Sequence, residues 1–234
     1  MKAFLLAAGE GTRLRPITNL VPKCMVPIRG VPMLSIWLRI CEAIGIDEIL
    51  INVHAHADAV KQFAGHAGGS VRIRVAEENI LLGSAGTLRA NRHWAESEEC
   101  FWIFYADVLN QADLKGMLRQ HRLRKPVATI GVYEVPDPRR CGIVSLRQDG
   151  MVEQFIEKPD TPMGNLAFSG LMIGTPAMLE AIPDRVPADI GFHVLPKLGG
   201  KMLAYPIQDY LIDVGTLENY QKAQDTWPGF PNYA

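Results

Sequence analysis

The sequence predicts an α/β fold, a Rossmann-like, mostly parallel mixed sheet with helices on both faces. Two observations predict it. Apolar runs of strand length alternate with helical stretches through the first half of the chain. The first such run, Phe4 to Ala8, ends directly in a glycine turn, and the strand ends of open α/β sheets are where ligands bind. With 234 residues, 48% of them apolar, the chain can bury a substantial core as a single domain.

The elements follow in chain order. Strand candidates are 3–8, 48–53 (EILINV), 71–76 (VRIRVA), 101–106 (FWIFYA) and 127–133 (VATIGVY). All are short and apolar, and most are rich in β-branched or aromatic residues. Between the first two, Met33, Ile36, Trp37, Ile40, Cys41 and Ile44 recur at i, i+3, i+4, i+7, the stripe of a helix lying on a sheet. A further helix is expected to start near Gly83 and Ser84 and to run to about His93. After about residue 134 the rhythm changes to shorter strands at 143–146, 151–156 and 168–173, with turn signals such as Gln148-Asp149-Gly150. A helix at 175–182 beside Pro176, a segment 191–199, a strand at 201–206, the stretch Tyr210–Val214 and a last helix from Thr216 complete the list. This later part reads as a second lobe over the carboxyl ends of the first sheet, with 227–234 an irregular tail.

The glycine turn carries the chemistry. Gly9 and Gly11 let the backbone turn tightly and approach a ligand. Thr12, Arg13 and Arg15 place donors and positive charge beside the turn, and Lys23 follows Pro22 in an extended stretch. Glycines, arginines and a lysine just after a first strand suit a nucleoside triphosphate. A dinucleotide fingerprint would need a third glycine where Leu14 stands, and no G-x-x-x-x-G-K-[ST] run occurs.

Leu6-Ala7-Ala8-Gly9-Glu10-Gly11-Thr12-Arg13-Leu14-Arg15-Pro16 and Pro22-Lys23-Cys24-Met25-Val26-Pro27 together resemble the signature of the sugar-1-phosphate nucleotidyltransferases, the NDP-sugar pyrophosphorylases. The resemblance implies transfer of a nucleoside monophosphate from a nucleoside triphosphate to a sugar 1-phosphate, with release of pyrophosphate. It implies a nucleotide-binding half at about 1–134 and a sugar-phosphate-binding half at about 135–226. Leu6, Ala8, Gly9, Gly11 and Thr12 would line the nucleotide, and Arg13 and Lys23 would steady its phosphates. No C-terminal hexapeptide repeat of the kind some members carry is expected.

Later segments extend the resemblance. Leu82-Gly83-Ser84-Ala85-Gly86-Thr87-Leu88 is similar to the family loop that lies against base and ribose, which assigns Gly83, Gly86 and Thr87 to the nucleotide. Phe155-Ile156-Glu157-Lys158-Pro159 is similar to F-x-E-K-P, where Lys158 would hold the sugar phosphate and Glu157 two sugar hydroxyls. Arg140-Cys141-Gly142 resembles a segment whose glycine backs the sugar, and Ser169 lies in a matching segment. There Phe168 stands where the family often has Asn. Asp107 and Asp213 each follow a strand candidate and match the family's metal-binding positions, although Ala106 and Leu211 depart from the usual Gly and Trp. Two carboxylates with phosphate oxygens suit Mg²⁺. Taken singly, a strand-end Asp is more often a turn former or helix cap, and Asp213 could cap the last helix.

The remaining features mostly exclude. A net charge of −1 offers no electrostatic case for nucleic acid or an anionic membrane. No apolar stretch approaches the length of a membrane span, and the N-terminus lacks the pattern of a signal peptide. Cys24, Cys41, Cys100 and Cys141 show no metal-site spacing, so reduced thiols in a cytoplasmic protein are expected and no catalytic thiol is needed. His54 and His56 alternate like metal ligands, lack an evident third and read as structural; His193 reads as a surface or capping residue. The expected partners are a nucleoside triphosphate and a sugar 1-phosphate, and a homodimer is allowed.

The LGSAGTL loop and the ending DIGFHVLPKL…YLIDVGTLENY look most like the guanylyltransferase branch, with mannose 1-phosphate or a heptose 1-phosphate as acceptor. Thymidylyl-, uridylyl- and cytidylyltransferases share the frame. A non-catalytic NDP-sugar-binding relative should lack a metal Asp or a phosphate-binding base, and all are present here. A metal-dependent glycosyltransferase usually shows D-x-D, whereas Val108-Leu109 follow Asp107.

Overall fold

In the computed structural model, which describes residues 1–230, the first strand Lys2–Leu6 pairs in parallel with Glu48–Val53, and that strand with Arg72–Glu77. Phe4, Leu5, Ile49 and Ile51 are fully buried, as apolar runs without alternation should be in a sheet covered on both faces. The predicted stripe forms the helix Met33–Ala43, burying Leu34, Ile36, Trp37, Ile40 and Cys41. Trp37 stacks on Phe104 at 4.7 Å between ring centroids. Side chains of this size contribute about 1.5–3 kcal/mol each when fully buried.

These elements belong to one compact unit, residues 1–81 with 104–113 and the chain from Asp209 onward. It also contains an antiparallel pair, Val108–Asn110 with Leu211–Asp213, and the last helix Leu217–Thr226. A hairpin not foreseen in the sequence, Pro27–Ile28 with Val31–Pro32, turns through Arg29 and Gly30, both at positive φ (48° and 80°). Two successive left-handed residues make the tight turn whose twist matches a hairpin. The Arg29 side chain donates to the carbonyls of Gln224 and Asp225 at 2.8 and 2.9 Å, satisfying the carboxyl end of the last helix.

The second unit comprises residues 82–103 and 114–208. Its strands run Val152–Glu157, Gly142–Leu146, Leu166–Gly174 and Ala128–Glu134 in antiparallel neighbours, and Met202–Pro206 pairs in parallel with Ala128–Glu134. The fold is thus α/β with a mixed sheet.

Several expectations need correction. The chain does not divide at residue 134: the loop from Leu82 and the strand Ala128–Glu134 fall in the second unit, while Asp213 and the last helix fall in the first. The expected helix to His93 breaks at Asn91, whose side chain donates to the Thr87 carbonyl at 2.9 Å; Ser84–Ala90 and Arg92–Ala95 result. The helix at 175–182 is one turn, Pro176–Leu179, with Pro183 soon after it. Segment 191–199 splits into Ile190–His193 and the 3-10 turn Leu195–Leu198, where Pro196 offers no N–H. In the tail, Trp227 is buried and meets Tyr210 edge-on at 5.4 Å; 231–234 lie outside the described residues. Among the described residues no helix is long and apolar enough to cross a membrane.

Candidate functional site

In the first unit the glycine turn is held from both sides. Ala7 N–H donates to Asn52 Oδ1 at 2.7 Å, and Asn52 Nδ2 donates to Glu78 Oε1 at 2.9 Å, fixing the end of Lys2–Leu6. Gly11 is left-handed (φ 64°), and its carbonyl accepts from Leu14 N–H at 2.9 Å and Thr18 Oγ1 at 2.7 Å. A methyl on Gly11 would lie 2.8 Å from Thr18 Cγ2, so packing as well as conformation demands glycine there. A methyl on Gly9 would meet nothing within 4 Å, so the space beside that residue is open. Leu6 is half-buried and Ala8 buried ahead of the turn, and Thr12 and Arg15 are exposed.

Arg13, Lys23, Asp107 and Asp213 come together in this unit. Ala106 N–H donates to Leu6 O at 3.0 Å, and Trp37 Nε1 donates to Ala106 O at 3.1 Å, so Asp107 emerges beside the glycine turn. The Lys23 ammonium bonds Asp107 Oδ2. Asp213 lies opposite Val108 in the strand register, and Val214 N–H donates to Asp107 O at 2.8 Å. A methyl on Gly215 would sit 2.6 Å from Asp213 Oδ1 and 3.1 Å from Arg13 Nη2, so the carboxylate and the guanidinium share the space a side chain would fill. Asp213 remains accessible to solvent. The crowding around it, and then the charge of Asp107, push its carboxyl above the usual range, while Lys23 and Arg13 pull it down.

Asp213 is not a helix cap. Thr216 Oγ1 caps the last helix, accepting from Asn219 N–H at 3.2 Å, and leaves the Asp213 carboxylate to the site. Among the described residues no cluster of three or more His, Cys, Asp or Glu gathers for a metal. A cation here would rest on two carboxylates and on substrate oxygens, the coordination Mg²⁺ accepts. Two neighbouring carboxylates, one of them raised by desolvation and then by the charge of the other, fit such a cation.

The second unit holds the other named residues. Glu157 ends the strand Val152–Glu157, and Lys158 follows with positive φ (50°), its N–H donating to Cys141 O at 2.9 Å. The Lys158 ammonium is 3.9 Å from Glu157 Oε1 and 5.5 Å from the Phe192 ring centroid. Burial raises the Glu157 carboxyl above its ordinary value; Lys158 opposes this and Asp189 adds to it. A methyl on Gly142 would meet Glu157 Oε2 at 2.6 Å and the Phe155 ring at 2.3 Å. Phe168, at the place where Asn was the usual residue, packs edge-on against Phe155 at 6.3 Å. The amide is thus replaced by an aromatic wall.

Some assignments shift. Ser169 is buried, its hydroxyl accepting from Leu171 N–H at 3.2 Å and packed against Gly131, because strand alternation turns it away from Phe168. Thr87 is fully buried and its hydroxyl bonds Gly83 O at 3.2 Å. The Gly86 amide donates to Ala188 O at 3.1 Å. Gly83 has φ 78° and its α-carbon faces the Ala188 carbonyl. These loop residues are explained first by packing within their own unit. His54 Nδ1 meets Glu78 O at 2.7 Å, a structural contact, and His193 Nδ1 accepts from Asp189 N–H at 2.8 Å, a cap. The Cys24 thiol is buried and pushed up to about 12, which suits no nucleophile. Sequence reasoning missed Asn52, Glu78, Thr18, Ser84 and Asp189. Of these, Ser84 and Asp189 carried a signal, each standing at the start of an expected helical segment.

The Nucleotidyl transferase family profile matches residues 2–228 of the chain. Mannose-1-phosphate guanylyltransferase 1 of Arabidopsis thaliana is 30% identical over 94% of the chain and 63% of its own length. UTP–glucose-1-phosphate uridylyltransferase of Synechocystis sp. is 30% identical over 95% of the chain and 62% of its own. The chain therefore spans a little under two thirds of the length of these curated relatives. Among solved structures, HddC from Yersinia pseudotuberculosis, complexed with GMP-PN, is similar with a TM-score of 0.80 and 25% identity, covering 97% of this chain and 99% of that one.

Proposed function

Because the chain belongs to the nucleotidyl transferase family, we propose that it transfers a nucleoside monophosphate from a nucleoside triphosphate to a sugar 1-phosphate and releases pyrophosphate. The observation that carries this reading is the convergence of Arg13, Lys23, Asp107 and Asp213 beside an open glycine turn. Two bases and two carboxylates at such a turn answer the main difficulty of the reaction, which is to bring two polyanions together.

The nucleophile is an oxygen of the sugar phosphate, whose second pKa of about 6 leaves it largely dianionic at neutral pH. That oxygen bonds to the α-phosphorus as the bridging bond to the β-phosphate breaks, and pyrophosphate leaves with the electron pair. No side chain need be activated, which agrees with the inert Cys24. Arg13 and Lys23 steady the triphosphate and the developing charge on pyrophosphate. Lys158 holds the acceptor's phosphate and Glu157 accepts hydrogen bonds from sugar hydroxyls. Asp107 and Asp213 would hold Mg²⁺, which when bound supplies charge neutralisation at the phosphoryl oxygens.

GTP with mannose 1-phosphate or a heptose 1-phosphate is the preferred pair, supported by the Arabidopsis relative's name and the GMP-PN bound to HddC. UTP with glucose 1-phosphate is the second reading, favoured by the Synechocystis relative. A grid of five nucleoside triphosphates against several sugar 1-phosphates, scored for pyrophosphate with and without Mg²⁺, tests both levels. Release that requires both reactants and the metal supports the reaction class, and the most active pair names the substrates. Pyrophosphate release without any sugar phosphate, or none with every pair, overturns the proposal.

A further inference from the structure

Five hydrogen bonds bolt the loop Leu82–Gly86 to the segment Ala188–Ile190, all within the second unit. Ala188 N–H donates to Leu82 O at 2.8 Å, and Ala85 and Gly86 N–H both donate to Ala188 O at 3.0 and 3.1 Å. Ser84 Oγ donates to Asp189 Oδ2 at 2.8 Å and accepts from Ile190 N–H at 2.8 Å. The other Asp189 oxygen, Oδ1, accepts from Phe192 N–H at 3.1 Å. The next residue, Gly191, is the wall against which Glu157 rests. A methyl there would lie 2.4 Å from Glu157 Oε2 and 3.3 Å from Asp189 Oδ1. Two carboxylates therefore share one bare α-carbon. Asp189 is committed to Ser84 and Phe192 through both its oxygens.

We infer that Ser84 and Asp189 are positioning residues for the Glu157 carboxylate, so that the glycine loop sets the sugar pocket mechanically. The inference rests on the proposed acceptor, a sugar 1-phosphate. Its consequence runs against the loop's apparent role: a lesion at Ser84 shows in the sugar phosphate rather than in the nucleoside triphosphate. Ser84 touches no reacting atom in this scheme. It fixes the Asp189 carboxylate and the Ile190 amide of the segment that Glu157 leans on, and Asp189 adds an anionic neighbour whose effect on Glu157 opposes that of Lys158.

The test uses the full chain with Ser84→Ala, Ser84→Thr and Asp189→Asn. Steady-state kinetics with the most active substrate pair should show KM for the sugar phosphate raised about fivefold or more in Ser84→Ala, with KM for the nucleoside triphosphate within about twofold. Ser84→Thr, which keeps the hydroxyl, should restore the wild-type values. A KM rise confined to the nucleoside triphosphate, or no change in either, overturns the inference. A second readout needs no turnover: the Glu157 carboxyl followed by carbon-detected NMR titration in wild type and Asp189→Asn. The charged groups acting on Glu157 are Lys158 and Asp189, so removing the anion should lower its titration midpoint. An unmoved midpoint overturns the inference even if the chain proves inactive, whereas a lowered midpoint in a chain without transferase activity leaves the coupling standing and removes only the proposed reaction.

Discussion

Asp107 and Asp213, 106 positions apart in the sequence, are brought side by side by a single short strand pair, with Val214 N–H donating to the Asp107 carbonyl at 2.8 Å. The pairing of Leu211–Asp213 with Val108–Asn110 does this, and nothing longer is required. Both carboxylates then face the basic pair Arg13 and Lys23, and neither is needed as a helix cap. Asp107→Asn and Arg13→Ala should each lower kcat/KM by at least about 10²-fold with the fold retained. Pyrophosphate release and far-UV circular dichroism check this. A loss below tenfold in both variants removes these residues from the chemistry.

The same substitution, glycine to alanine, should have opposite effects at Gly83 and Gly191. At Gly83 a methyl would lie 2.3 Å from the Ala188 carbonyl oxygen, a backbone atom, and φ is 78°. Neither can give way cheaply, so Gly83→Ala should lose at least about 2 kcal/mol in urea unfolding. At Gly191 the obstructing atom is the far end of the Glu157 side chain, which can swing aside. Alanine also favours the short helical turn there. Gly191→Ala should unfold within about 1 kcal/mol of wild type yet raise KM for the sugar phosphate about tenfold. Equal destabilisation by both variants contradicts the geometry.

Glu157 gives the pH dependence a sign. Burial raises its carboxyl above 4.5, with Asp189 adding to the rise and Lys158 opposing it. Between 4.5 and the raised value the folded chain binds more protons than the unfolded one, so this residue's contribution to stability declines as pH rises through that window. Glu157→Gln should match the wild-type melting temperature most closely below the window and gain on it above. In the proposed reaction the carboxylate form is the one that would accept sugar hydroxyls, so KM for the sugar phosphate should fall with rising pH over the same range in wild type. A Glu157→Gln variant that keeps the wild-type KM profile shows that another group titrates.

Much of this was legible in the sequence, and the limits have physical reasons. Strands such as 48–53 and the stripe of Met33–Ala43 announce themselves because burial acts on consecutive or periodic side chains. Arg13, Lys23, Asp107 and Asp213 were legible through the motif, and the structure does bring them together. The inward orientation of Ser169 and Thr87 was not legible, because a strand's two faces, or a helix's inner side, depend on a register no short motif states. Ser84 and Asp189 were illegible as a pair, since a hydrogen bond across 105 positions leaves no local pattern. The unit boundaries were hidden for the same reason: each unit is assembled from pieces distant in the chain.

Thr18 offers a last check on how the glycine turn keeps its shape. Its hydroxyl donates to Gly11 O at 2.7 Å while its Cγ2 lies 2.8 Å from where a side chain on Gly11 would begin. The hydroxyl and the methyl thus act on one left-handed residue, two positions before Arg13. Thr18→Val keeps the volume and removes the hydrogen bond. The Gly11 carbonyl retains Leu14 N–H, so the stability loss should be only about 1 kcal/mol. The displacement of Arg13 should matter more, with kcat/KM for the nucleoside triphosphate falling about tenfold and KM for the sugar phosphate unchanged. Thr18→Ser, which restores the bond and loses the methyl, should recover most of the activity. If Val proves as active as Thr, the bond from Thr18 to Gly11 has no part in presenting Arg13 to the triphosphate.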